Sequence, residues 1–136
     1  MWETELGVTV TLNNQEWGTF LETRKNGEYS IARNGWIADY NDPMSFIDMW
    51  MTGGGNNDAQ YANEEYHKLV AAAKVETDAA KRMELIHQAE DILMAQDWVL
   101  GPIYFYTQMH MIKDNIDGVF YTPLGYYFFM YAQPKA

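Results

Sequence analysis

The chain has 136 residues, nine Lys+Arg against nineteen Asp+Glu, a formal net charge of −10, and an apolar content of 48%. That length suits one domain with a real core, and the cations, never more than two adjacent, form no stripe to neutralise phosphates, which argues against nucleic-acid binding. The absence of cysteine excludes disulfides, thiolate metal sites and a cysteine nucleophile, and no apolar run approaches the ~20 residues of a membrane-spanning helix.

The opening MWETELGVTV lacks the basic and apolar regions of a signal peptide, so any targeting signal is expected to lie outside this sequence. Residues 7–12 (GVTVTL) are rich in β-branched side chains and predict a strand. Asn14 can cap a helix beginning near Gln15, with Trp17, Phe20, Leu21 and Arg24 at helical spacing and Gly27 as its stop. Residues 29–34 (YSIARN) return to strand character. Strand, helix and strand within about thirty residues predict a βαβ unit. Its strands would run parallel with a right-handed connection, and ligands gather beyond the carboxyl ends of such strands. The expected fold class is α/β, with a short, mainly parallel sheet and flanking helices.

Pro43 breaks the backbone, and residues 44–51 (MSFIDMWM) predict a short apolar helix whose Met44, Met49, Trp50 and Met51 fill the core. Residues 52–58 (TGGGNND) predict a flexible linker, because no Gly-Lys-Ser/Thr follows the glycine triplet as a phosphate loop would require. Asn63 can cap a helix with an apolar stripe of Tyr66, Leu69, Val70 and Ala73. Thr77 or Asp78 can cap the next, which turns Leu85, Ile86, Ala89, Ile92 and Leu93 inward and Lys81, Glu84, Gln88 and Asp91 outward. Residues 99–111 (VLGPIYFYTQMHM) predict an edge or interrupted strand because they contain Pro102. The stretch 119–131 carries seven aromatics in thirteen residues.

His67, His87 and His110 form neither an HExxH nor a His-x₃-His pair, so a metal site would need distant residues to converge. No metal or cofactor is expected. Ser30 and Ser45, the only serines, sit in no nucleophile elbow. Asp39, Asp42 and Asp48 lie within ten residues, which keeps an α/β hydrolase as an alternative. Against it, Asp42-Pro43 is an ordinary turn pair and Asp48 fits the polar face of a short helix. The stretch IARNGWIADYNDP, residues 31–43, offers more. Arg33, Trp36 and Asp39 could be a surface ion pair beside a half-buried indole. They could instead capture a zwitterion, with Asp39 binding an ammonium, Arg33 forking onto a carboxylate and Trp36 walling the stem between. Gly35, without a side chain, lets another backbone approach and pair.

Residues 6–43, LGVTVTLNNQEWGTFLETRKNGEYSIARNGWIADYNDP, closely resemble the C-terminal lobe of the oligopeptide-binding proteins, the extracytoplasmic solute-binding components of ABC importers of the peptide/nickel class. The similarity continues through residues 63–96 and the YFYT stretch into the tail, and its most specific element is the Gly-Trp-x-Ala-Asp-Tyr-x-(Asp/Glu)-Pro motif. The resemblance implies part of a periplasmic-binding-protein-like lobe that binds peptides without catalysis. It casts Asp39 as the acceptor of the ligand's α-ammonium, Arg33 as the partner of its charge, and Trp36 as a pocket wall. Gly35 and Ile37 would supply the pairing backbone; Ile37 stands where some relatives carry cysteine, but only its main chain would be used. Members that bind nickel complexes, haem or sugars share the fold. The resemblance further implies a lipid-anchored, extracytoplasmic protein, a missing N-terminal lobe and ABC permease subunits as partners. On that basis residues 1–106 are an incomplete ligand-binding lobe, and 107–136 a hinge-return strand and aromatic tail that would pack on the missing lobe. Without that lobe, residues 119–131 are expected to fold back or to self-associate.

Overall fold

A computed structural model describes residues 1–135 of the chain. Its centre is a helical hairpin of α4 (Glu64–Val75) and α5 (Ala79–Asp91), with shorter helices α1 (Trp2–Leu6), α2 (Trp17–Lys25) and α3 (Met44–Ile47) preceding it. The hairpin starts where side chains satisfy orphan backbone donors. Asn63 Oδ1 accepts the Glu65 and Tyr66 N–H groups at 2.9 and 3.1 Å, and Asp78 Oδ1 accepts the Lys81 N–H at 2.9 Å. The apolar stripes then meet: Tyr66, Val70 and Ala73 of α4 pack with Ile86 and Ala89 of α5 and with Ile92 and Leu93 in the turn that continues α5. Met44, Ile47, Met49 and Trp50 close the same core from the side. Burying a side chain the size of Val70 or Leu93 contributes about 1.5–3 kcal/mol, so this cluster is the main source of stability. The buried Tyr66 hydroxyl donates to the Ile47 carbonyl, tying α4 to the end of α3.

Both helices of the expected pair and the 44–51 helix are present, the last as α3 followed by one 3₁₀ turn, Asp48–Trp50. Helix α2 begins at Trp17 with Glu16 as its cap, accepting the Gly18 and Thr19 N–H groups at 2.8 and 3.2 Å, where the sequence pointed to Asn14. The glycine-rich loop is tied down: Asn57 Nδ2 donates to the Tyr61 carbonyl at 2.8 Å while its Oδ1 accepts the Tyr61 N–H at 2.9 Å.

The mainly parallel sheet is corrected. Among the described residues, four two-residue strands form two antiparallel ladders: β1 (Ile116–Asp117) with β4 (Gln133–Pro134), and β2 (Phe120–Tyr121) with β3 (Tyr127–Phe128). Residues 7–12, 29–34 and 99–111 lie in no ladder, so the βαβ unit does not form within the described residues. Composition selects what fits a pleated surface, but a strand exists only where a second edge satisfies its N–H and C=O groups. The tail closes on itself at Gly118, where φ is 75° and the Tyr131 carbonyl oxygen occupies the place a Cβ would take. Its aromatics stay largely open to solvent, with Phe129 and Tyr131 each more than 60% exposed.

Candidate functional site

Residues 32–38 connect α2 to α3 without helix, strand or turn. From Gly35 to Asp39 exposure alternates: Gly35, Ile37 and Asp39 are exposed while Trp36 and Ala38 are partly buried, and Arg33 and Asn34 before them are both exposed. That is the two-residue period of extended chain, in which successive side chains point to opposite faces. Trp36 packs against the core cluster and so holds the inner face. Its indole N–H is buried without a hydrogen-bond partner among the described residues. The outer face carries the other four residues singled out from the sequence.

Gly35 stands in open space: a Cβ built there meets no atom within 4 Å. The chain's own packing therefore does not demand a glycine at this position, and the room beside it is free for another backbone. Six residue steps separate Arg33 from Asp39, at most about 20 Å. The two charges make no ion pair with each other among the described residues, so the surface-pair reading is not realised. Arg33 Nη2 donates instead to the Tyr106 hydroxyl at 2.5 Å. The Tyr104 and Tyr106 rings stand edge to face at 4.8 Å. The Tyr104 hydroxyl, and after it the Arg33 guanidinium, hold the Tyr106 phenol below its ordinary pKa. Tyr104 is shifted upward, chiefly by the neighbouring Tyr106 hydroxyl. These phenols were missed in the sequence; their signal was the i, i+2 spacing in YFYT, which places both on one face of extended chain.

At the other end, the Asp39 N–H donates to the Ser45 Oγ at 2.9 Å, which fixes the backbone and leaves the exposed carboxylate free to meet a partner. Asp42 and Asp48 are engaged differently. Asp42 Oδ1 accepts from Arg82 Nη2 at 2.8 Å, and Asp48 lies 3.0 Å from Lys74 Nζ. The Arg82 hydrogen bond, followed by one from the Met44 N–H, holds the Asp42 carboxyl below its ordinary pKa. Two of the three clustered carboxylates thus serve the fold. His67 accepts from Thr52 at 3.2 Å, a boundary role, and His110 packs 3.7 Å from the Tyr121 ring centroid. No group of three or more His, Cys, Asp or Glu among the described residues is placed to hold a metal ion.

The site is therefore an open, extended edge: a cation with two phenols at one end, a carboxylate at the other, and between them the Gly35 carbonyl and the Ile37 backbone, which have no partner among the described residues, the Gly35 N–H being held by Asn34 Oδ1. It can receive an extended ligand bearing opposite charges at its ends. Comparison with known proteins gives concordant findings. Residues 1–58 match the family described as bacterial extracellular solute-binding proteins, family 5 Middle. The chain is 38% identical over 136 residues to the oligopeptide-binding protein OppA of Bacillus subtilis, covering 99% of this chain and 25% of that protein. It is 40% identical to the periplasmic OppA of Salmonella typhimurium over 87% of this chain and 22% of the relative. Among solved structures, Haemophilus influenzae OppA in complex with RPPGFSPFR superposes with a TM-score of 0.77 at 37% identity, covering 86% of this chain and 23% of that one. The substrate-binding domain of an oligopeptide ABC transporter from Bacillus anthracis gives 0.83 at 29% identity, covering 98% and 27%. The chain spans about a quarter of the length of the curated relatives it matches.

Proposed function

We propose that this chain, a segment of the family 5 extracellular solute-binding proteins, binds oligopeptides without catalysis, as one lobe of a two-lobed receptor that delivers them to an ABC permease. The observation that carries the proposal is the exposure of Arg33, Gly35, Ile37 and Asp39, alternating from Gly35 onward with the half-buried Trp36 and Ala38, on an edge that has no strand of its own beside it. A peptide laid on that edge pairs through its backbone, and variable side chains then project away from the contact. With its α-ammonium at Asp39 and its carboxyl side toward Arg33, the peptide runs antiparallel to residues 33–39. Trp36 sets the depth of the edge from the inner face and offers its exposed rim to the ligand. Arg33 meets a carboxylate through its planar fork. The Tyr104–Tyr106 pair steadies that fork.

Residues 1–106 are an incomplete part of the ligand-binding lobe, and residues 107–136 are the hinge-return segment and aromatic tail that the second lobe covers. Closure of two lobes excludes water, and the lower effective dielectric strengthens both charged contacts. Such a receptor works outside the cytoplasm, anchored through a lipid on the polypeptide that precedes this segment. In isolation the segment presents half a cleft and binds weakly, while its tail drives self-association.

The test is a chimera in which this chain replaces the corresponding quarter of Bacillus subtilis OppA, titrated by calorimetry with RPPGFSPFR. Binding is expected, and Asp39→Ala weakens it more than tenfold, since a hydrogen bond to a charged group contributes about 1.5–3 kcal/mol. Unchanged affinity in Asp39→Ala removes the stretch from the site. Turnover of the peptide that depends on Asp42 would instead establish the hydrolase alternative.

A further inference from the structure

The stretch that carries the proposed ligand contacts has no ladder and no helix to hold it, yet a binding edge must be held. Two arginines, each from a different helix, grip its ends. Arg24, in the last turn of α2, donates from Nη1 to Asn34 Oδ1 at 3.0 Å, and that same oxygen accepts the Gly35 N–H at 2.7 Å. Arg24 is itself fixed: its Nε lies 2.6 Å from Asp58 Oδ2, with the two side chains 17% and 14% exposed, and its guanidinium sits over the Phe20 ring. At the far end, Arg82 of α5 donates from Nη2 to Asp42 Oδ1 at 2.8 Å and from Nε to the Ala73 carbonyl at 3.2 Å. Asp42 Oδ1 also accepts the Met44 N–H at 2.8 Å, which shapes the turn that leads from Asp39 into α3.

We propose that Arg24 and Arg82 are positioning residues for the ligand stretch. Arg24 acts through Asn34 to set the orientation of the Gly35 backbone. Arg82 acts through Asp42 to set the turn that presents Asp39. Neither has to touch the ligand. Their contribution is preorganisation: backbone ordered before binding loses no freedom at the moment of binding, and affinity rises accordingly. Both bridges are partly buried, so their loss also costs some global stability; the positioning role is the additional effect concentrated on the order of residues 33–42. This deepens the peptide-binding reading and rests on it.

Hydrogen exchange on the chain, with α4 and α5 as internal reference, is combined with RPPGFSPFR affinity in the OppA chimera for Arg24→Ala, Arg82→Ala, Asn34→Ala, Asn34→Asp and Asp39→Ala. Arg24→Ala, Asn34→Ala and Arg82→Ala are expected to speed exchange across residues 33–42 by far more than in α4 and α5, and to weaken the peptide about tenfold. Asn34→Asp keeps the shared acceptor and is expected to retain most of the affinity. Exchange in residues 33–42 that stays at the wild-type rate in both arginine variants overturns the proposal. So does exchange that quickens as much throughout α4 and α5 as in residues 33–42, which would make the arginines general stabilisers. Full affinity in the arginine variants beside lost affinity in Asp39→Ala overturns the positioning role alone. Full affinity in Asp39→Ala as well defeats the peptide reading, and the proposal with it.

Discussion

Replacing Tyr66 with phenylalanine removes one oxygen atom from the centre of the core. Tyr66 is fully buried, and its hydroxyl donates to the carbonyl of Ile47, which is 5% exposed. The ring stays in place, so apolar burial is nearly unchanged and the loss isolates the polar contact. A buried acceptor deprived of its donor costs about 1–3 kcal/mol. For a chain of this size each kcal/mol lowers the melting temperature by roughly 3–5 °C, giving a fall of about 5–10 °C for a mid-range loss. Thermal unfolding followed by circular dichroism reads this directly. The pH dependence supplies a second check. Burial, followed by the nearby Tyr61 and Asp48, pushes the Tyr66 phenol far above its ordinary pKa. A raised pKa in the folded state contributes stability that is intact below the unfolded phenol's value, about 10, and is lost as pH rises beyond it. Tyr66→Phe therefore flattens the alkaline limb in part, leaving the share due to the other raised phenols, Tyr61 foremost and Tyr29 and Tyr40 with it. A variant within about 0.5 kcal/mol of wild type would refute the reasoning that this hydroxyl ties α4 to α3.

Leu93→Ala leaves a cavity in the same cluster and is expected to cost about 2–5 kcal/mol, read from the urea midpoint. The Asp42 carboxyl, held low by Arg82, contributes stability above the ordinary carboxylate range that is lost as pH falls through its depressed value. Asp42→Asn is therefore expected to flatten the acid limb of the stability profile, and an unchanged limb counts against the Arg82 grip. Light scattering of the isolated chain is expected to report species larger than a monomer, driven by the exposed aromatics of residues 119–131. A strict monomer with a protease-labile tail is the contrary result.

The helices were legible because their signals are local. Asn63 and Asp78 cap at the expected places, and the stripe of Tyr66, Val70 and Ala73 meets Ile86, Ala89 and Leu93 as the 3.6-residue period requires. The strands were not legible in the same way. The β-branched run 7–12 and the stretch 29–34 read as strands but find no partner in the described chain, since pairing is a long-range fact that composition does not encode. The outward set of the site, Arg33, Gly35, Ile37 and Asp39, could be named from the motif. The groups that hold it in place could not. Tyr106 reaches Arg33 across 73 residues, and Arg82 reaches Asp42 across 40. Asn57 shows the same limit on a smaller scale, turning a glycine-rich loop that reads as a linker into a hydrogen-bonded knot with Tyr61.

The most direct measurement pairs a change in the protein with a change in the peptide. RPPGFSPFR and its N-acetylated form are each titrated against the OppA chimera with Asp39 intact and against its Asp39→Ala variant, closing a double-mutant cycle. If Asp39 receives the α-ammonium, acetylation and Asp39→Ala each weaken binding and do so non-additively, with a coupling energy of about 1.5 kcal/mol or more. Additive losses, or an Asp39→Ala variant that distinguishes the two peptides as sharply as wild type does, would contradict the account.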